Sequence, residues 1–197
     1  PLNAALFRAD EAVLWPKVEE PGSLPVIISH LKERRIDMVM IGSEFDVVFF
    51  AQHKEEIERE TGAMVVSSAL ETALIADDKY LTAEFLRKNS LPYVESYLPK
   101  SFEDAREKAR EWGYPFLLKP RSGTSGRHVY VLEDENQLLG LFAGVPRPVM
   151  QKLVDSPSEK IKNEYTCSIF KCRDGRILGP FTARRTLRSG HSWKNSS

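Results

Sequence analysis

The fold of this chain is decided by the stretch Tyr114–Val131, which reads YPFLLKPRSGTSGRHVYV. Phe116–Leu118 is a short apolar run typical of a buried strand, and strand character resumes over His128–Leu132. Between them lie Lys119 and a small polar loop that contains glycines and hydroxyl side chains. The pattern predicts a strand, a lysine, a flexible loop and a second strand.

The loop between these strands has residue types that can hold phosphate. Gly123 and Gly126 allow backbone N–H groups to approach an anion. Lys119 adds a compact positive charge. Further hydroxyl donors are Ser122, Thr124 and Ser125. We therefore predict that this hairpin grips a nucleoside triphosphate.

The spacing differs from that of the commoner phosphate loops. There is no G-x-x-x-x-G-K-[ST], and Gly123-x-x-Gly126 lacks the first glycine of a dinucleotide fingerprint. It also leads into a strand, where that fingerprint requires a helix. The alternative interpretation is an ordinary β-hairpin whose glycines serve only the geometry of the turn.

Composition and charge exclude several classes of protein. The chain has 197 residues, enough for two compact units, and its 28 basic and 28 acidic residues cancel. No overall field therefore recruits nucleic acid or an anionic membrane. No apolar run approaches the roughly 18 residues of a membrane span, and no signal peptide is evident. Cys167 and Cys172 are predicted on opposite faces of one strand, which disfavours a disulfide and fits a cytoplasmic protein.

Residues 11–67 alternate between strand and helix signals. The predicted elements are a strand over Ala12–Trp15, a helix from Ser23, a strand over Asp37–Ile41, a helix from Ser43 to Gly62, and a strand over Ala63–Val66. Continuous apolar strands separated by helices indicate a Rossmann-like parallel sheet covered on both faces. An opening strand and its glycine-rich turn are missing, so we expect that the sequence begins late.

Two helices are predicted over residues 77–113. The first begins at Asp77-Asp78-Lys79, and the second runs from Ser101 to Gly113. Lys79 falls in the first turn, where the helix dipole disfavours a cation. Pairing with Asp77 or Asp78 is the simplest explanation for this lysine.

The remaining chain is predicted to be rich in strands. The elements that follow the loop are a helix over Asp134–Ala143, a strand over Pro148–Val154, a hairpin of Glu164–Cys172 with Arg176–Ala183, and a flexible basic tail over Arg184–His191. Asp174 precedes Gly175 at the hairpin, and we interpret it as a turn residue and not as a metal ligand.

These motifs together resemble the ATP-grasp superfamily, most of all its carbamoyl phosphate synthase large-subunit branch. The matching motifs are, in order, Asp78-Lys79, Phe116–Pro120, Ser122–Gly126, Gln151–Val154 and Glu164–Thr166. The resemblance implies an α/β fold class, with a Rossmann-like pre-ATP-grasp sheet followed by a partial ATP-grasp α+β fold. It also implies four segments: 1–76 as the pre-ATP-grasp domain, 77–113 as linking helices, 114–154 as the ATP-grasp lid, and 155–197 as the start of the C-terminal subdomain.

The resemblance assigns most of the cofactor-binding roles to lysines and to one loop. Lys79 would contact the α-phosphate, and Lys119 the α- and β-phosphates. The loop of Ser122, Gly123, Thr124, Ser125 and Gly126 would close over the β- and γ-phosphates.

Base and ribose recognition are assigned to later strands. Within Gln151-Lys152-Leu153-Val154, the Gln151 side chain and the backbone of Lys152 and Val154 would contact the adenine edge. Glu164 would accept hydrogen bonds from the ribose. Many family members carry Glu where this chain has Gln151, which could also be a solvated strand residue.

A catalytic role is implied for the basic tail. Arg184, Arg185, Arg188 and His191 resemble the basic loop that lies near the acyl acceptor and the phosphate in the family. A solvated basic loop is the alternative.

The implied function is an ATP-dependent ligase that joins a carboxylate to an amine or ammonia through an acylphosphate. Mg²⁺ is the implied second cofactor, with its ligands expected beyond residue 197, so the chain alone is expected to be inactive. A non-catalytic nucleotide-binding module, or one piece of a split ligase, is the alternative. NAD binding by residues 1–76 is a third interpretation that lacks its glycine fingerprint. The acid, the amine and any homo-oligomer stay open.

Overall fold

The structure is a computed structural model that describes residues 8–123, 126–154, 164–188 and 191–196. For Glu164 and for residues 185–188 and 191–196 it describes only the backbone. The chain divides into two compact units, Pro1–Leu74 and Ile75–Ser197. Within the described residues, no helix combines the length and the apolar character needed to cross a membrane.

The first unit is built on two parallel strands and the helices that connect them. Its elements are α1 (Ser23–Glu33), β1 (Met38–Met40), α2 (Val47–Gln52), α3 (Lys54–Thr61) and β2 (Met64–Val66). Val39 of β1 lies opposite Val65 of β2, and both are buried together with Ile27 and Ile57. Gly62 ends α3 in the left-handed conformation (φ 76°), which an L side chain rarely adopts. The predicted parallel α/β arrangement is confirmed. The predicted cover on both faces is not found among the described residues, since Met38 and Met40 of β1 are 46% and 75% exposed.

Two local predictions for this unit are wrong. Ala12–Trp15 forms no strand, because β1 pairs only with β2 among the described strands and Leu14 is 87% exposed. The helix predicted from Ser43 starts later, since Ser43 holds a turn by accepting hydrogen bonds from the N–H groups of Phe45 and Asp46. It is also divided into α2 and α3 at His53.

The second unit begins with a four-stranded antiparallel sheet and its helices. Its elements are α5 (Lys79–Lys88), β3 (Ser96–Tyr97), α6 (Phe102–Trp112), β4 (Phe116–Pro120), β5 (Tyr130–Leu132), α7 (Glu135–Leu141), a short 3-10 helix (Phe142–Gly144) and β6 (Pro148–Lys152). A helix α4 (Leu70–Asp77) precedes them. The strand order is β3-β6-β4-β5.

Alternation along β4 separates the core from the opposite face of this sheet. Phe116 and Leu118 are at most 1% exposed and pack with Leu132 and Met150. Because successive strand residues point to opposite faces, Lys119 lies on the face away from this core. Gln151 shares that face, since it is paired with Leu117 in the register of β4 and β6.

The helix starts in this unit agree with the capping signals in the sequence. The Asp78 carboxylate accepts hydrogen bonds from two N–H groups of α5, and the Ser101 hydroxyl accepts one from Asp104 N–H in α6. Gly113 ends α6 as predicted. The helix predicted over Asp134–Ala143 is shorter, with α7 ending at Leu141 before the 3-10 turn.

A second antiparallel sheet follows, in the order β7 (Glu164–Lys171), β8 (Ile177–Arg188) and β9 (His191–Ser196). Asp174 accepts a hydrogen bond from Arg176 N–H at 3.1 Å, and Gly175 has φ 87°, so Asp174 serves the turn as predicted. The flexible tail predicted from Arg184 is wrong. Residues 184–188 continue β8 because β9 pairs with them, and His191 begins β9.

Candidate functional site

Lys119 lies in a short hydrogen-bonded chain across three strands. Its Nζ donates to Gln151 Oε1 at 2.5 Å, and Gln151 Nε2 donates to Ser96 Oγ at 2.8 Å. The three residues belong to β4, β6 and β3, so the sheet register sets their spacing. The interaction fixes the Gln151 amide, because its oxygen faces a cation and its nitrogen faces a hydroxyl.

Lys79 reaches the segment around Gly123 from the first turn of α5. Its Nζ donates to the carbonyl of Gly123 at 2.9 Å and lies 3.4 Å from the carbonyl of Arg121. The simple explanation given above for this lysine is therefore wrong: its ammonium bonds to loop carbonyls, while Asp77 and Asp78 act on it only through their charge.

The positive charges of Lys79 and Lys119 are only weakly balanced by nearby negative charge. Burial, and then the nearby charge of Lys79, lower the pKa of Lys119. Burial also lowers the pKa of Lys79, against the opposing charges of Asp77 and Asp78. Within the described parts of the chain, neither ammonium forms an ion pair with a carboxylate. An anion bound between them would offset the free-energy cost of burying the two charges and would weaken their mutual repulsion.

Asp78 fixes the helix that carries Lys79. Its carboxylate is buried, accepts hydrogen bonds from the N–H groups of Tyr80 and Leu81, and lies 2.5 Å from Arg121 Nη2. Burial alone would raise the pKa of Asp78, but the hydrogen bonds from Arg121 and from the backbone outweigh it, and the pKa lies below its ordinary value. The carboxylate therefore stays ionised at neutral pH.

The loop itself is described in part. Gly123 has φ 114° and Gly126 has φ 68°, so both occupy the region that favours glycine. Among the described residues, a Cβ at Gly123 would meet no atom within 4 Å, and the positive φ angle is what favours glycine there. Ser122 follows Arg121 directly, whereas Thr124 and Ser125 lie outside the described residues.

Two of the residues predicted to contact adenine have hydrogen-bond partners of their own in this structure. Both ends of the Gln151 amide are engaged by Lys119 and Ser96. The Lys152 N–H donates to the carbonyl of Glu95 at 2.9 Å, so this N–H is unavailable to a base. Leu153 and Val154 follow the end of β6, and the adenine contacts of this segment stay predictions.

The other predicted site residues belong to the three-stranded sheet. Glu164 pairs with Arg185, and Arg184 pairs with Tyr165, through the backbones of β7 and β8. Arg188 pairs with His191 across β8 and β9. The side chains of Glu164, Arg188 and His191 lie outside the described part of the structure, and their roles stay predictions.

The described residues do not by themselves form a metal centre. No group of three or more His, Cys, Asp or Glu side chains among them could hold an ion.

Sequence reasoning missed three residues of the site, Ser96, Arg121 and Arg147. Ser96 orients Gln151, Arg121 pairs with Asp78, and the Arg147 guanidinium lies 3.7 Å from Asp78 Oδ2. Arg121 follows a predicted strand and a proline, which is a weak local signal. Its partner lies far away in sequence, where no spacing rule applies.

The first unit contains a separate, largely apolar cavity beside β1. Its lining includes Trp15, Met38, Met40, Asp46 and Phe50, and none of the predicted site residues. The sequence that follows β1 lacks the glycine fingerprint of a dinucleotide-binding domain. The cavity therefore does not support NAD binding by the first unit.

Parts of this chain are similar in sequence to known proteins. No family model matches it. The carbamoyl phosphate synthase large chain of Archaeoglobus fulgidus is 33% identical over 95 residues, covering 47% of this chain and 9% of that protein. The biotin carboxylase of Pseudomonas aeruginosa is 29% identical over 168 residues, covering 77% of this chain and 37% of that enzyme.

Solved structures share the fold over nearly the whole chain. The biotin carboxylase domain of Hydrogenobacter thermophilus 2-oxoglutarate carboxylase, solved as a dimer with MgADP and bicarbonate, superposes with a TM-score of 0.76 at 17% identity over 95% of this chain and 43% of that one. The Staphylococcus aureus N5-carboxyaminoimidazole synthetase with ADP gives 0.73 at 18% identity, over 96% and 47%.

These comparisons bear on the fold and on the motifs together. The expected fold class is confirmed by the structural neighbours, and the motif resemblance is confirmed by the sequence relatives. This chain spans less than half the length of each relative named here.

Proposed function

We propose that this chain, an ATP-grasp relative of carbamoyl phosphate synthase large chains and biotin carboxylases, supplies the nucleotide-binding part of an ATP-dependent ligase. The observation that carries the proposal is the pair of partly buried ammonium groups of Lys79 and Lys119 beside the Gly123 segment. Burial of two cations costs free energy unless an anion accompanies them. A polyphosphate supplies that anion.

The geometry suits a chain of phosphates better than a single small anion. Lys119 approaches from a strand and Lys79 from a helix, so their charges come from two directions. The N–H groups of the glycine loop can add donors along the same ligand. Lysine contributes a mobile charge that can follow a phosphate as it moves.

The proposed reaction has two steps. A carboxylate oxygen attacks the γ-phosphorus of ATP, forming an acylphosphate and releasing ADP. The nitrogen of an amine or ammonia then attacks the acyl carbon, and phosphate leaves. Arg184, Arg188 and His191 would lie near the acyl acceptor, where positive charge stabilises the departing phosphate. A cytoplasmic location and a homo-oligomer are part of the same proposal.

A second candidate is a non-catalytic nucleotide-binding module, or one section of a divided ligase. One relative favours it: a protein of Methanopyrus kandleri, 26% identical over 139 residues, is named the N-terminal section of a carbamoyl phosphate synthase large chain. Both candidates share the nucleotide site and differ in whether phosphoryl transfer follows binding.

Calorimetric titration with ADP tests the shared site. Replacing Lys119 with Ala removes a charged hydrogen bond of about 1.5–3 kcal/mol, so the dissociation constant should rise roughly tenfold to a hundredfold. Lys88→Ala is the matched control, because Lys88 is an exposed lysine at the other end of α5. Equal affinities in the wild type and Lys119→Ala would remove Lys119 from the site.

Hydroxylamine trapping separates the two candidates. An acylphosphate formed from ATP and a carboxylate would be converted to a hydroxamate with release of phosphate. The ligase predicts hydroxamate formation, in a protein that extends beyond residue 197 and supplies the magnesium ligands, that depends on both substrates and is lost in Lys119→Ala. ADP binding without hydroxamate from any of a panel of carboxylates would favour the module.

A further inference from the structure

We propose that Asp78 and Arg121 form a latch that positions Lys79 for phosphate binding. The proposal rests on the nucleotide function given above and adds two positioning residues to it. Neither needs to touch the nucleotide. Their effect would pass through the position of α5 and the direction of the Lys79 side chain.

The Asp78 carboxylate holds two structures at once. Its Oδ1 accepts the N–H groups of Tyr80 and Leu81, at 2.9 and 3.1 Å, which caps α5. Its Oδ2 lies 2.5 Å from Arg121 Nη2. The side chains are 9% and 24% exposed, so water competes weakly for the contact. A single carboxylate therefore ties the start of α5 to the residue that follows β4.

Backbone contacts complete the latch on both sides of Arg121. The Lys79 N–H donates to the Arg121 carbonyl at 2.8 Å, and the Arg121 N–H donates to the Arg147 carbonyl at 3.0 Å. The Lys79 ammonium then reaches Gly123, two residues further along. Lys79 is thus held at its backbone and at its side-chain end by the same short segment.

The Asp78–Arg121 ion pair also affects where the Lys79 ammonium lies. Asp78 is adjacent to Lys79 and would attract its ammonium if the carboxylate were uncompensated. Arg121 already forms an ion pair with that carboxylate. Lys79 consequently bonds to neutral carbonyls, which a phosphate can displace without breaking an ion pair.

A double-mutant cycle on ADP affinity tests the latch. Lys79→Met alone should weaken ADP binding by roughly tenfold or more, and Arg121→Ala by somewhat less, because it only displaces the lysine. In the Lys79→Met background, Arg121→Ala should change ADP affinity by less than about twofold. Adenosine affinity should be the same in all four proteins.

Two further variants control for charge and shape. Arg147→Ala also removes one positive charge near Asp78, but its guanidinium is 3.7 Å away and 65% exposed, so we expect less than about a twofold effect. Arg121→Lys should recover part of the affinity. Additive losses from Lys79→Met and Arg121→Ala, or equal losses from Arg121→Ala and Arg147→Ala, would overturn the latch.

Amide exchange of the free protein tests the same claim without nucleotide. The Lys79 amide should exchange faster in Arg121→Ala and at the wild-type rate in Arg147→Ala. An unchanged Lys79 amide in Arg121→Ala would overturn the latch. If wild-type protein bound no ADP, the proposed function would fail, and this exchange result would still decide whether Asp78 and Arg121 hold α5.

Discussion

The two antiparallel sheets of the second unit use similar strands in different ways. In the four-stranded sheet, Phe116, Leu118, Leu132 and Met150 are at most 1% exposed. In the three-stranded sheet, Ile169, Phe170, Ile177 and Phe181 are 53 to 63% exposed. Helices α6 and α7 pack on the first sheet, whereas the described residues provide no comparable layer for the second.

The difference in packing between the two sheets explains how Lys119 is positioned. Packing of one face of β4 into a core fixes the strand, and alternation then directs Lys119 to the other face. The positions of Lys119, Gln151 and Ser96 are therefore set by strands that the core on the opposite face of the sheet holds in place. Strand pairing alone, as in the described three-stranded sheet, sets the register but leaves apolar side chains unpacked.

Truncating one apolar side chain in each sheet should show the difference between them most clearly. Leu118→Ala removes a fully buried side chain and should lower the free energy of unfolding by about 2–5 kcal/mol. Ile177→Ala, at a position 60% exposed, should change it by about 0.5 kcal/mol or less. Urea denaturation, followed by exchange of the β4 and β6 amides, provides the measurement. Equal costs for the two variants would contradict the contrast between the sheets.

A smaller effect is expected from the cap of the helix that covers the four-stranded sheet. Ser101→Ala removes the hydroxyl that accepts Asp104 N–H and should cost about 0.5–2 kcal/mol in urea denaturation. Ser168→Ala, an exposed serine in β7, is the control and should cost little. If both serine variants were equally stable, packing of α6 would not depend on its cap.

The smallest effect concerns pH. The pKa of Lys119 is lowered by burial in the folded state, so the unfolded chain binds more protons between that lowered value and the ordinary 10.5. Wild-type stability should therefore rise with pH across this window relative to Lys119→Met, and the difference should be constant at lower pH. Urea titrations from neutral to alkaline pH measure it, with Lys171→Met on β7 as the control. A difference that fell with rising pH would show that the pKa is raised.

Local signals in the sequence were sufficient for the elements that frame the site. Asp78, Ser101 and Asp134 start helices because each accepts hydrogen bonds from the N–H groups of a first helical turn. The strand around Phe116 followed from its apolar run, and the turn at Asp174-Gly175 from its residue types.

The contacts within the site could not be predicted in the same way. Gln151 and Ser96 are 55 residues apart and meet because β3, a two-residue strand with no visible pattern, pairs with β6. Pairing between strands also determined the structure of two stretches for which the local prediction was wrong. The stretch at Ala12 has no partner among the described strands, while the basic stretch at Arg184 pairs with β9.

The central claim is that Lys79 and Lys119 are two weakly compensated ammonium groups that hold a polyphosphate. The most direct measurement is a pH titration of their ¹³Cε resonances by nuclear magnetic resonance, with and without ADP. The account predicts that the pKa of each lysine lies below its ordinary value in the free protein, and that both pKa values rise when ADP binds because the phosphates favour the charged form. Ordinary pKa values in the free protein that do not change with saturating ADP would contradict it.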